Sequence, residues 1–179
     1  ISYRLVGSEM CIRDSQNSRL DLLSDYNYIY KTTIGAIGFK YDNYVLSELQ
    51  ILEKAKTRKN KTNNFIKDIC KQIEYYLDGN LKEFQVDYII NGTNYQKKVL
   101  EAVSNIKYSE TLTYSEVANK VKSHPRPVGN ACRKNPLHLI SPCHRVIAIN
   151  CMGGFAGSSF KENDFYIKKK NFLLGIERN

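Results

Sequence analysis

The chain has 179 residues, of which 42% are apolar, enough to bury a substantial core in one large domain or two small ones. No apolar run approaches the roughly 20 residues of a membrane span, so no membrane partner is predicted. The five cysteines lack the spacing of a disulfide framework, which indicates a reduced, cytoplasmic compartment. The net charge is +9, and residues 91–179 hold 14 Lys and Arg against 6 Asp and Glu, which favours a nucleic-acid partner, although a solvated basic surface would carry the same charge.

The first stretch, residues 1–15, has neither the charged start and apolar run of a signal peptide nor a helix or strand period. It begins without methionine, and Val6 to Ser15 resemble translated sequencing-adapter sequence. We expect this stretch to be an artefactual leader, and we leave it and Cys11 out of the fold prediction.

The first domain is predicted over residues 16–90 and opens with a small sheet. Short β-favouring pieces between Tyr28 and Leu46 are broken by Gly35, Gly38 and Asp42-Asn43, a pattern typical of antiparallel strands joined by tight turns. These breaks predict three short strands.

A helix is predicted to cover this sheet. After a polar, lysine-rich loop over residues 54–64, apolar side chains recur at helical spacing from Phe65 to Leu77, and Asp78-Gly79 ends the pattern. Phe84 to Ile90 alternates like a further strand, and Asn91-Gly92 marks the boundary with a second domain over residues 91–179.

The second domain begins with helices. Thr93 with Gln96 and Thr113 with Glu116 form capping-box patterns ahead of apolar helical faces. After a break over residues 123–125, Pro127 can occupy the first turn of a third helix. Helix, short break and helix is the arrangement of a helix-turn-helix DNA reader, although two-helix hairpins also occur in proteins that never contact DNA.

Two small residues in the third helix, Gly129 and Ala131, allow two interpretations. A glycine inside a helix lowers its stability, so it needs a reason. Either the helix packs tightly against another element, or it approaches a nucleic-acid groove closely.

The sequence Pro142-Cys143-His144 places a histidine beside a cysteine. A cysteine reacts as the thiolate, which requires a nearby proton acceptor or cation. On an extended segment the two side chains would point to opposite sides, so we expect a bridging water between them, and a distant carboxylate, Glu177, to fix the tautomer of His144.

Neither of two less specific interpretations is excluded by the residues themselves. A Cys-His pair can be accidental, one residue being buried and inert and the other a hydrogen-bonded core histidine. A zinc site could use Cys132, His138, Cys143, His144 and Cys151, but their spacings match no paired-ligand pattern, and no metal is predicted.

Four ordered blocks of this half resemble the active-site region of the O6-alkylguanine-DNA alkyltransferases. The blocks are Arg126 to Ala131, Asn135-Pro136, Pro142 to Val146, and Gly153 to Gly157 followed by Leu173-Leu174 and Glu177. With weaker matches upstream, the resemblance covers about residues 28–179.

The resemblance implies a fold and an activity. The fold is an α/β ribonuclease-H-like N-terminal lobe followed by a mainly α winged-helix C-terminal lobe. The activity is DNA repair by stoichiometric transfer of the alkyl group of O6-methylguanine to Cys143, with the damaged base flipped out of double-stranded DNA. The resemblance implies no cofactor, and nothing in the sequence suggests more than a monomer.

The resemblance also implies a role for each site residue. His144 would take the proton of Cys143 through water, Glu177 would hold His144, and Asn135 would brace the turn. Tyr114 would press on the phosphate beside the lesion, and Arg126 would fill the gap left by the flipped base. The remaining contacts with DNA or the base are assigned to Gly129, Ala131, Arg145, Val146, Ser158 and Ser159.

Some positions depart from the family pattern. Pro127 replaces a small residue and could displace the start of its helix and with it Arg126. Residues 160–169 look like an insertion that would reshape the base-binding loop. Three rival functions remain in view: a non-catalytic binder of alkylated DNA, a helix-turn-helix transcription regulator, and a Cys-His hydrolase.

Overall fold

The structure, a computed structural model, describes residues 26–53, 62–158 and 164–178. The predicted leader, most of the lysine-rich loop, Ser159 and the start of the expected insertion lie outside the described residues. Helices and strands both occur, so the fold is a mixed α and β fold. Within the described ranges, no helix has the length and apolar character needed to cross a membrane.

The first described elements are three antiparallel strands in the order β1-β2-β3: β1 (Tyr28–Thr32), β2 (Gly35–Asp42) and β3 (Val45–Leu52). The predicted small sheet is confirmed, but β3 is longer than expected and Gly38 lies inside β2 rather than at a turn. A Cβ at Gly38 would stand 2.8 Å from the ring of Tyr26. The glycine therefore makes room for an aromatic ring, a contact that no local pattern shows.

The helix predicted from Phe65 to Leu77 is confirmed as α1 (Asn64–Leu77). The side chain of Asn63 caps it by accepting a hydrogen bond from the Ile66 amide at 2.9 Å. The ring of Phe65 packs against that of Tyr41, with centroids 5.6 Å apart, so α1 lies against the sheet.

The strand predicted over residues 84–90 does not form as a regular strand. This segment pairs with β3 at one residue, where Leu46 N–H donates to Asp87 O at 2.8 Å and Ile89 N–H donates to Leu46 O at 2.9 Å. The segment has the alternating sequence of a strand, but its backbone pairs with the sheet only at Leu46.

Two helices of the second half begin where their capping boxes predict. They are α2 (Asn94–Ser104) and α3 (Tyr114–Val121), and both reciprocal hydrogen bonds of each box are present. A cap of this kind stabilises a helix by about 1 kcal/mol, enough to fix where it begins.

The two remaining helices differ from the sequence expectation at their starts. Pro125 is the first residue of α4 (Pro125–Arg133), so the break ends at His124 and Pro127 is the third helical residue. The last helix, α5 (Phe165–Arg178), includes residues 165–169, which were expected to be part of an insertion. The earlier start of α4 still leaves Pro127 in the first turn, where a missing N–H breaks no helical hydrogen bond.

The loop before Cys143 is bound to the edge of the first sheet. Leu49 N–H donates to Pro136 O at 2.8 Å, and His138 N–H donates to Leu49 O at 2.7 Å. The amide of Ile51 donates to Nδ1 of His138 at 3.1 Å. Beyond this loop, β4 (Leu112–Thr113) and β5 (Val146–Ile147) pair in parallel. Strand β3 and strand β4 thus fix the chain on both sides of the cysteine.

Candidate active site

Cys143 lies on a short 3-10 turn, Cys143–Arg145, and not on the extended segment expected from sequence. Cys143 N–H donates to Ser141 O at 2.8 Å, and Arg145 N–H donates to Pro142 O at 2.9 Å. The side chains of all three turn residues are buried. Successive side chains on such a turn do not alternate between two faces, so Cys143 and His144 are not held on opposite sides.

Asn135 holds the turn and contacts the sulfur. Its Nδ2 donates to Ser141 O at 2.7 Å and to Cys143 Sγ at 3.1 Å, while its Oδ1 accepts from Leu137 N–H at 3.0 Å. Burial raises the pKa of the Cys143 thiol, and the hydrogen bond from Asn135 opposes that rise by stabilising the thiolate.

His144 is paired with Glu177, the carboxylate expected from sequence. Nε2 of His144 lies 2.9 Å from Oε1 of Glu177, and both side chains are almost fully buried. Burial lowers the pKa of His144 despite the neighbouring carboxylate, so the imidazole is neutral near pH 7. Because Nε2–H of His144 donates a hydrogen bond to the carboxylate, the proton is on Nε2 and the free lone pair is on Nδ1. This buried Nδ1 atom has no hydrogen-bond partner in the described structure.

The same carboxylate is bound by Arg145. Nε of Arg145 donates to Oε2 of Glu177 at 2.9 Å, Nη2 donates to Oε1 at 2.9 Å, and Nη1 donates to Ile106 O at 2.6 Å. Arg145 was expected to contact DNA or the base. The structure shows this to be wrong for its side chain, because the guanidinium is buried and bound within the protein.

Tyr76, from α1, completes the cluster. Its hydroxyl donates to Oε1 of Glu177 and lies 3.2 Å from Nε2 of His144. Burial alone would raise the pKa of the Glu177 carboxyl, but hydrogen bonds from His144, Arg145 and Tyr76 outweigh it and lower that pKa to about 2. Glu177 is therefore a fixed negative charge, and the pair with Arg145 is the kind of buried ion pair that is costly to break.

A buried amine, that of Lys170, lies close enough to Cys143 for its charge to act on the thiol. Its Nζ donates to Val146 O at 2.6 Å and to Gly154 O at 3.2 Å, and the side chain has no exposed surface. Burial lowers the pKa of Lys170 to about 8, although negative charge on the neighbouring cysteines, as thiolates, would raise it. The same positive charge lowers the pKa of Cys143.

Cys143 lines a cavity of about 420 Å³. The other lining residues come from α3, α4 and the loop after β5: Tyr114, Gly129, Cys132, Arg133, Gly154, Phe155, Ala156, Gly157 and Ser158. The hydroxyl of Tyr114 donates to Gly154 O at 3.4 Å, and burial raises the pKa of this phenol, which keeps it neutral. A side chain at Gly154 would collide with the carbonyl of Ser158, so the loop requires glycine there.

The DNA-contact residues expected from sequence divide into two groups. Tyr114, Gly129 and Ser158 line the cavity, and Arg126 is exposed on the first turn of α4. Val146 is buried and offers only its carbonyl, which Lys170 engages. The expectation for Ala131 is wrong, because its side chain is 2% exposed and packs in the core.

Gly129 has space around it. A Cβ there would meet only Tyr114 Cε1, at the ordinary contact distance of 3.9 Å. Tight packing within the protein therefore does not explain this glycine, which lines the cavity.

Tyr76 and Lys170 are the functional candidates that sequence reasoning missed. Each occupies a position on the apolar face of its helix, where a hydroxyl or an amine needs a buried partner. A polar group on an apolar helix face was the sequence signal that could have identified these two residues. No group of three or more His, Cys, Asp or Glu side chains arranged to hold a metal occurs in the described part of the chain.

Comparison with known proteins gives concordant matches. A family model for the DNA-binding domain of 6-O-methylguanine DNA methyltransferase matches residues 94–179. A methylated-DNA–protein-cysteine methyltransferase from Methanocaldococcus vulcanius is 42% identical over 57% of this chain and 58% of its own length. One from Methanosarcina acetivorans is 35% identical over 85% of this chain and 97% of its own length. The chain thus spans a little over half the length of the first relative and nearly all of the second.

A solved structure has the same fold. The OGT of Mycobacterium tuberculosis in complex with DNA superimposes with a TM-score of 0.72 at 30% identity, covering 84% of this chain and 91% of that one.

Proposed function

Because this chain belongs to the family of methylated-DNA–protein-cysteine methyltransferases, we propose that it repairs DNA by moving the alkyl group of O6-methylguanine onto Cys143. The observation that carries the proposal is the placement of one sulfur. Cys143 lines the cavity, is hydrogen-bonded by Asn135 at 3.1 Å, and adjoins a neutral imidazole backed by a buried carboxylate.

The first step is removal of the thiol proton. A water between Sγ of Cys143 and Nδ1 of His144 would pass the proton to Nδ1, the ring nitrogen of His144 that has a free lone pair in the described structure. The imidazolium that forms is stabilised by Glu177 at 2.9 Å, and the thiolate is stabilised by Asn135 and the charge of Lys170.

The second step is displacement at the methyl carbon. The thiolate forms a C–S bond as the bond between the methyl carbon and O6 breaks, and the electron pair of that bond goes to O6. The guanine regains its ordinary N1 proton, which balances the proton lost by the thiol. The product is a thioether that nothing in the site can hydrolyse, so each molecule acts once and needs no cofactor.

The proposed DNA contacts lie around the cavity through which the damaged base would reach Cys143. The methyl group of the lesion lies inside the duplex, so the nucleotide has to leave the stack to reach a recessed sulfur. We assign Tyr114 to the phosphate beside the lesion, Arg126 to the gap in the stack, and Gly129 to the minor groove. The carbonyl of Val146 and the loop at Ser158 and Ser159 would receive the base.

The finer description of fold and assembly belongs to this proposal. Residues 16–90 would form a ribonuclease-H-like domain and residues 91–179 a winged-helix domain that binds double-stranded DNA containing O6-alkylguanine. The protein would act as a monomer in the cytoplasm. The sheet of three strands covered by α1 and the succession of α2, α3 and α4 support this division.

The test is transfer of label from a duplex that carries radiolabelled O6-methylguanine. We expect label on Cys143 at no more than one group per molecule, and we expect Cys143→Ser to bind the duplex without taking up label. Binding without label in the wild type would indicate a non-catalytic binder or a regulator, and repeated turnover would indicate a hydrolase. Either result would contradict the proposal.

A further inference from the structure

Arg126 stands between two prolines at the exposed start of α4. Pro125 and Pro127 are the first and third residues of this helix, and all three side chains are exposed. His124, the residue before the helix, provides no side-chain cap. The side chain of Arg126 has no hydrogen bond or ion pair with any described residue. The guanidinium is therefore free in the unbound protein, while the backbone that carries it is constrained on both sides.

The prolines change what this helix start can bind. A helix ordinarily presents free N–H groups in its first turn, and these attract phosphate. Here Pro125 and Pro127 have no N–H, and Val128 N–H already donates to His124 O at 3.3 Å. The amide of Arg126 is what remains, so this helix start is a poor anion site and presents two pyrrolidine rings instead.

We propose that Pro125, Arg126 and Pro127 form a rigid wedge that opens the DNA stack, an inference that rests on the proposed function. Proline is among the apolar residues that proteins insert between base steps. The two rings contact the sugars and base faces exposed when the damaged nucleotide leaves, and they fix the direction in which Arg126 enters the gap. The fixed φ of each proline lowers the conformational entropy that this first turn loses on contact with DNA.

If these residues open the stack, the proline variants should behave differently on duplex and on single-stranded DNA. A duplex has a stack to open, whereas a single strand presents its bases without one. Removing a proline should therefore slow transfer from duplex DNA and leave transfer from a single strand of the same sequence unchanged.

The experiment measures single-turnover transfer from both substrates. We expect Pro127→Ala and Pro125→Ala each to slow the duplex reaction about two- to five-fold and Pro127→Gly to slow it further, because alanine and glycine release φ progressively. Asn119→Gly, on the exposed face of α3, is the control: it loosens a neighbouring helix, and the ratio of duplex to single-strand rates should stay at the wild-type value. Melting temperatures show whether each variant is folded.

A second readout does not need methyl transfer. 2-Aminopurine placed beside the lesion gains fluorescence when its stacking is lost, and we expect a smaller gain on binding of the proline variants. Equal slowing on both substrates, an unchanged or faster duplex rate, or an unchanged fluorescence gain would overturn the wedge. Failure of the wild type to transfer from either substrate would overturn the proposed function, and the fluorescence would then decide the wedge separately.

Discussion

The two sides of Cys143 are built in opposite ways. Toward α1 and α5, the side chains of His144, Arg145 and Glu177 are buried and joined by hydrogen bonds. Toward α4, the sulfur faces a cavity, and the side chain of Arg126 has no partner in the described structure. On the proposed function, the groups that would activate the sulfur are thus fixed before DNA arrives, whereas the groups that would meet DNA gain their partners only from the ligand.

This difference predicts how the two sides respond to mutation. We call the side toward α1 and α5 the closed side and the side toward α4 the open side. A change on the closed side leaves a buried charge or polar group without a partner, so it should lower stability and reactivity together. A change on the open side removes few contacts within the protein, so it should alter the reaction with DNA and leave the fold intact.

The largest effect is expected for Glu177→Gln, which leaves the guanidinium of Arg145 buried without its counter-charge. We expect a loss of about 3 kcal/mol in the free energy of unfolding and a fall of about 100-fold in the transfer rate. Chemical denaturation and single-turnover kinetics measure the two losses. Because the folded-state pKa of Glu177 is depressed to about 2, its stabilisation is present above 4.5 and is lost as the pH falls from 4.5 towards 2.

Glu101→Gln is the matched control for this variant. Glu101 is an exposed carboxylate on α2, so its neutralisation should change stability by no more than about 0.5 kcal/mol. Equal denaturation midpoints for the two variants would show that the buried ion pair does not stabilise the closed side.

A smaller effect is expected for Lys170→Met, which removes a buried amine but keeps an unbranched side chain of similar length. Without that positive charge the pKa of Cys143 rises, and the transfer rate at neutral pH falls about ten-fold for each pKa unit. Lys168→Met, at an exposed position of α5, should leave the rate unchanged.

Lys170 also gives stability a pH dependence of known sign. Its pKa is about 8 in the folded protein and 10.5 ordinarily, so between these values the unfolded chain holds more protons than the folded one. The stability of the wild type relative to Lys170→Met should therefore rise with pH across this window, by about 1 kcal/mol per pH unit. A difference that stays constant or falls with pH would contradict the assignment of the amine.

The smallest effect on the protein itself is expected on the open side. Gly129→Ala and Gly175→Ala both add a methyl group to a helix where the protein has room for it, so each should raise stability by about 0.5 to 1 kcal/mol. We expect only Gly129→Ala to slow transfer from duplex DNA, by about five-fold, because its methyl group faces the cavity. Equal duplex rates for the two variants would remove Gly129 from the DNA interface.

Local signals predict the elements that depend on local contacts. The capping boxes at Thr93 and Thr113 fix the starts of α2 and α3 because both partners of each hydrogen bond lie within four residues. The sequence predictions are wrong where a contact with a residue distant in the chain determines the local structure. Sequence alone places Gly38 at a turn, although it lies in a strand under the ring of Tyr26.

In the candidate site, too, some residues are predicted from sequence and others depend on contacts between distant parts of the chain. The sequence pattern groups Cys143, His144, Asn135 and Glu177, and the structure joins them in two pairs, Asn135 with the sulfur and His144 with the carboxylate. The resemblance assigns Arg145 to a contact with DNA or the base, and the structure contradicts this for its side chain. Its ion pair with Glu177 joins residues 32 apart in the chain, and a single sequence contains no signal for that distance.

Tyr76 makes the chemistry depend on both halves of the chain. A protein trimmed to residues 91–179 would keep Arg126, Gly129 and Tyr114 but lose the phenol that reaches Glu177 and the β3 edge that receives His138. On the proposed function, such a fragment would lose two supports of the reacting group and would repair DNA poorly.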